Sequence, residues 1–292
     1  MKSMIALIQR EYLEHRGAFL YAPAMILGLL TLVLIGALGM ERIRVPAAVA
    51  TSSTRLFEIG FLAMAALWFV YLMASLFFYF ADAFNADRRN NSMLFWKSLP
   101  ASDFKILSSK MLAGLTIFPA LIFVAMLLGG IITYVMTLAT ALRIPGMSGP
   151  DLGMLFGAAG QVTLFSLVYV MLALLWYAPF FAWVGSLSTL VGRWSIPLAF
   201  LIPGMLGVFE NLIHDGGPRG GYILGYLRSR FHFGISEDGF EHEILSGQPF
   251  DAIARIADLL VGIDWTQMVG GLVVAALLVY AASEYRRRMI IT

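Results

Sequence analysis

MLAGLTIFPALIFVAMLLGGIITYVMTL, residues 111 to 138, contains no charged side chain, and none occurs anywhere between Lys110 and Arg143. The hydrocarbon core of a bilayer is about 30 Å thick and needs about 20 apolar residues in helical form. This run is therefore long enough to cross a membrane as one helix. The rest of the chain agrees with it. Of 292 residues, 60% are hydrophobic and only 13% charged, with a mean hydropathy of +0.81. A water-soluble domain has too few charges here to cover so much apolar surface.

Working outward, five further runs suit spanning helices. Residues 17 to 39 are uncharged, with Pro23 in the first turns. Residues 59 to 81 are dense in aromatics, among them Trp68, Phe69, Tyr71, Phe77, Phe78, Tyr79 and Phe80. The uncharged stretch from Leu152 to Gly192 exceeds one straight span. Pro179 and the Gly185, Ser186 and Ser188 cluster place the end of a fourth helix (about 157–182) there, with a turn marked by Arg193. A fifth helix covers 195–213 and a sixth 265–282. The expected fold is thus an all-α membrane protein, one transmembrane domain over 1–292 with six spans and an extracytoplasmic cap at 214–264. The first apolar run is read as a retained anchor rather than a cleaved signal.

Twelve of the twenty Lys and Arg residues fall on the side that carries both termini, including Arg286, Arg287 and Arg288 directly after the last span. The positive-inside rule then puts both termini in the cytoplasm. Residues 2–16 carry Met4, Ile5, Ile8, Tyr12 and Leu13 at helical spacing, which predicts an amphipathic helix lying in the headgroup region against membrane lipid. In the loop after the second span, Pro100 suits a first helical turn, with Asp103 near its start and Lys110 near its end, matching the helix dipole. Phe104, Leu107 and Met111 give that short 98–110 helix an apolar face. Near the end of the cap, Ile253, Ile256, Ala257 and Leu260 predict another short amphipathic helix.

Asp87-Arg88-Arg89, followed by Leu94-Phe95-Trp96-Lys97-Ser98-Leu99-Pro100 and a polar helix, resembles the permease subunit of ABC-2 type transporters, the exporter class of ATP-binding cassette systems. Ser195-Ile196-Pro197 through Pro203 to Glu210 is a weaker likeness, and the order of helices and loops matches over nearly the whole chain. The resemblance implies that the 98–110 helix is a coupling helix seated on a separate ATP-binding cassette ATPase subunit. Leu99, Pro100, Asp103, Phe104 and Lys105 would form the docking surface, with Arg88, Arg89 and Arg193 as auxiliary contacts. It further implies a second permease copy or paralogue, outward movement of an amphipathic or hydrophobic cargo, and a bacterial inner membrane location. ATP and Mg would be bound by the partner, so this chain carries no cofactor, no catalytic residue and no nucleic-acid function.

The remaining motifs are weak. No Gly precedes any Lys, so the GxxxxGK[ST] phosphate loop is absent. His242-Glu243 is followed by Ser246 where HExxH needs its second histidine. His214, His232 and His242 with Glu241 and Glu243 read as solvated surface, and no metal site is expected. The middles of the spans are free of charge, which weighs against ion relays and channels. Glu210, near the outer end of the fifth span, is a candidate gate residue or a cap for the turn that follows. Two alternatives stand beside the exporter: a secondary transporter acting alone, and a non-transporting subunit that passes ATPase work to a periplasmic partner.

Overall fold

The computed structural model describes residues 2–39, 52–90, 102–144, 147, 149, 151–213, 221–231, 233 and 249–288. Among these residues the chain is almost wholly helical, with no strand. Ten α-helices follow in order: α1 (Lys2–Glu14), α2 (Ala22–Gly39), α3 (Ser53–Arg89), α4 (Asp103–Leu115), α5 (Ile117–Ala141), α6 (Leu152–Val191), α7 (Ser195–Ile213), α8 (Gly221–Phe231), α9 (Ala252–Gly262) and α10 (Trp265–Arg288). A π-helical turn, Gly17–Tyr21, leads into α2, with the Ala22 N–H reaching the Gly17 carbonyl. Pro23 has no N–H to continue the ordinary ladder, and a wider turn just ahead of it absorbs that loss.

The ends of these helices are written in the sequence. Ser52 Oγ accepts from the Arg55 N–H (3.1 Å) at the start of α3, and Arg88 and Arg89 occupy its last turn. Asp151 Oδ1 accepts from the Gly153 N–H (3.0 Å) ahead of α6, and Asp251 and Asp264 cap α9 and α10 in the same way. Short polar side chains here supply acceptors for backbone donors that have no partner inside the helix.

Five helical runs are long and apolar enough to cross a membrane: 17–37, 53–89, 103–141, 152–213 and 265–288. The chain is thus compatible with a multi-pass membrane protein. The fourth run is not straight. Gly192, at φ +58° in a 3-10 turn (Gly192–Trp194), reverses the chain, and α7 folds back on α6. Trp183 Nε1 then donates to the Ala199 carbonyl at 3.3 Å, across sixteen residues of sequence. The break lies later than expected, because α6 runs through Pro179 to Val191. In an apolar helix a proline is tolerated where neighbours pack around it; the positive-φ glycine is what turns the chain.

At the centre, α3 and α6 pack along one another, flanked by α5 on α3 and by α10 on α6. The aromatics of α3 fill spaces left by glycines. A Cβ at Gly130 would lie 2.8 Å from the Phe61 ring, one at Gly185 3.1 Å from Phe84, and one at Gly114 would overlap Phe80. Phe61, Trp68, Phe80 and Phe84 are buried, so most of this aromatic stripe is packing rather than surface. Of the Gly153 and Gly157 pair, Gly157 faces open space, and a Cβ at Gly153 would meet only the Asp151 cap at 3.7 Å. α1, the C-terminal ends of α3, α6 and α10, and α4 meet at one end of the bundle, called here the terminal end.

Candidate functional site at the terminal end of the bundle

α4 begins where Ser102 Oγ accepts from the Lys105 N–H (3.3 Å), and it continues past a bend at Thr116 into α5. Its register differs from the expected 98–110. The helix runs on to Leu115, so Lys110 lies in its interior rather than in its last turn. Ile106, Leu107, Lys110 and Met111 are buried, whereas Phe104 is 48% exposed. The apolar face thus turns through Leu107 and Met111 toward the bundle, and Phe104 stands at its margin, edge-on to Tyr280.

Lys110 is fully buried and anchors a charge cluster. Its Nζ lies 2.8 Å from Glu11 Oε1 and 4.0 Å from Asp87 Oδ2. The Tyr79 hydroxyl donates to Glu11 Oε2 at 3.0 Å. Arg286 Nη1 donates to Asp87 Oδ2 (2.9 Å), and Arg286 Nε sits 2.9 Å from Asp103 Oδ1. Arg10 approaches the other Asp87 oxygen at 3.7 Å. Three carboxylates and three cations therefore join α1, α3, α4 and α10. Charges taken out of water are tolerable only when paired, and removing one partner from such a pair costs about 3–5 kcal/mol.

Of the residues singled out from sequence, Asp103 is held by Arg286, and Lys105 Nζ donates to Ser3 Oγ on α1. Arg88 is exposed at the end of α3, and Arg89 pairs with Asp82 on the surface. Arg193 is exposed in the α6–α7 turn, which abuts α3 where Ser195 Oγ donates to the Ala81 carbonyl (3.2 Å). The structure thus gathers Arg88, Arg89, Asp103, Phe104, Lys105 and Arg193 at the terminal end. Leu99 and Pro100 lie outside the described residues, as do His214, His232, Glu241, His242 and Glu243. Glu210 is elsewhere: its two carboxylate oxygens accept from the Tyr222 (2.6 Å) and Ile223 (2.7 Å) N–H groups, capping α8.

The sequence reading missed Glu11, Asp87 and Lys110 as one set. A signal for them existed. Glu11 continues the spacing of Met4 and Ile8, Asp87 that of Phe80 and Phe84, and Lys110 that of Ile106 and Leu107. Each charge sits on the stripe that a helix turns inward. Glu11, Glu14 and His15 offer ligand atoms within 4.8 Å of one another. Glu11 already serves Lys110 and Tyr79, and Glu14 pairs with Arg10, so charge pairing accounts for the group.

Comparison of the chain with protein-family models, with curated proteins and with solved structures finds no match. The likeness given above rests on the residues quoted for it.

Proposed function

We propose that this chain is the permease subunit of an ABC-2 type ATP-driven exporter, with α4 as the helix that receives work from a separate ATP-binding cassette subunit. One observation carries the reading. α4 ends the bundle with a half-exposed Phe104 beside its N-cap, is tied by buried ion pairs to α1, α3 and α10, and continues into the apolar α5. A force on its outer face is therefore delivered to four helices together. A loose surface helix would dissipate it.

In this reading the terminal end is cytoplasmic and both termini lie there, in the inner membrane of a bacterium. α7 counts as a sixth span, since its 19 residues extend about 28 Å at 1.5 Å per residue. Two such chains and two ATPases form the working unit. ATP draws the ATPases together, α4 moves with them, and the paired bundles rearrange to pass an amphipathic or hydrophobic cargo outward. ATP and Mg stay with the partner.

The test is co-expression and co-purification with ATP-binding cassette ATPase subunits from the same genome, comparing the native protein with Phe104→Glu. Phe104 is exposed enough that a charge there leaves the bundle intact, so lost association in a monodisperse variant supports the docking face. Asp103→Asn serves as the contrast, since it releases Arg286 and is expected to weaken stability as well as association. Native protein that inserts normally and binds no ATPase overturns the proposal and favours a transporter acting alone.

A further inference from the structure

Arg230, at the last turn of α8, belongs to what the sequence presents as an extracytoplasmic loop, yet it is only 1% exposed. The start of α8 is fixed to α7 by the Glu210 cap, and Leu224 packs onto Gly207. This sends the helix back along α7, and its end enters between α6 and α10. There the Arg230 guanidinium lies 4.1 Å from the Trp176 ring centroid and presses on Gly271, with Pro179 beside it. α6 holds the exit of α8 by its carbonyls: Trp176 Nε1 donates to Arg230 O (2.7 Å), Tyr177 to Phe231 O (3.1 Å) and Tyr169 to Phe233 O (3.3 Å).

The backbone is thus well satisfied, and the side chain is not. All three guanidinium nitrogens of Arg230 are buried without a hydrogen-bond acceptor, and the Asp264 carboxylate acts on the cation only through space, without a hydrogen bond to it. On α10, one turn before Gly271, Gln267 Oε1 is also buried without a donor. Burial lowers the Arg230 pKa from its ordinary value, as desolvation does to any cation. The face of an indole offsets part of that cost and leaves the five N–H donors unmet. A buried cation in this condition favours any rearrangement that brings it an anion.

We propose that Arg230 is an anion-recognition site: when α8 parts from α6 and α10, its guanidinium takes the phosphate or carboxylate of an anionic amphiphile, and such amphiphiles are the cargo class of this chain. The cargo assignment rests on the exporter reading; the binding of the anion does not. The planar fork of Arg suits two oxygens of one anionic group. The Trp176 face holds the cation while the site is empty, and the apolar flanks of α6, α7 and α10 suit an acyl chain.

The experiment uses the full chain in a neutral maltoside detergent, titrated calorimetrically with dodecyl phosphate and, separately, with inorganic phosphate. Saturable binding of dodecyl phosphate is expected. Arg230→Gln should weaken it at least about tenfold, the worth of one charge-assisted hydrogen bond. Arg230→Lys keeps the charge but loses the fork and should fall between the two. Should Arg230→Gln not yield monodisperse protein, the Lys variant decides: reduced affinity supports the site, and unchanged affinity overturns it. Equal affinity for inorganic phosphate overturns the amphiphile assignment. No binding by the native chain, or equal binding by Arg230→Gln, overturns the whole proposal. No ATPase takes part, so failure here leaves the docking of α4 untouched, and lost ATPase association would leave this result standing.

Discussion

Lys110 shows how one side chain changes role with burial. By sequence it is the last positive charge before a spanning run; in the fold it has no contact with solvent and is compensated by Glu11 and Asp87. Lys110→Met is therefore expected to cost about 3–5 kcal/mol, because it strands the Glu11 carboxylate in the interior. Adding Glu11→Gln should recover much of that loss, since an apolar and amide pair demands less of its surroundings. Thermal unfolding of the two single variants and the double variant in detergent measures the coupling. Simple additivity of the losses would mean that the pair contributes nothing as a pair.

Among elements, the association of α3 with α4, α5 and α6 is set by ring against glycine. Helices in lipid gain little from hydrophobic exclusion and associate through close van der Waals contact, which small residues permit. Gly130→Val should displace Phe61 and destabilise the bundle by about 1–3 kcal/mol, in the manner of an overpacked core. Gly157→Ala, in open space on α6, should leave stability unchanged or raise it slightly through helix propensity. Melting curves of the two variants separate these outcomes, and a similar loss in both would contradict the packing described. The GxxxG spacing at Gly153 could not have told these positions apart, because spacing does not say whether a neighbour is present.

For the whole molecule, the α6–α7 reversal at Gly192 decides the topology. With no cysteine in the chain, single cysteines report sidedness directly. Arg193→Cys is expected to react with an impermeant maleimide from the same side as Ser3→Cys, and Asp151→Cys from the opposite side. Labelling of positions 151 and 193 from one side would remove the fourth crossing and with it the six-span arrangement. A positive-inside count could favour both termini in the cytoplasm but not test it, because twelve of twenty cations is a modest bias.

The chain's own order of residues determined that it is helical and membrane-compatible, since long uncharged runs leave the backbone no other way to satisfy its donors and acceptors in lipid. It also determined where most helices begin and end, because caps such as Ser52, Ser102, Asp151 and Asp251 act within a few residues. Phe104 and Lys105 were singled out through the resemblance rather than by any local rule, and α4 places Phe104 exposed and Lys105 half-buried at the terminal end. Only the tertiary structure decided which charges are buried. Glu11 and Lys110 are 99 residues apart, Asp87 and Arg286 199 apart, and no local rule pairs them. Arg230 is the sharpest case. Its own segment reads as an exterior loop, and it is the path of α8 back between α6 and α10 that takes its charge out of water.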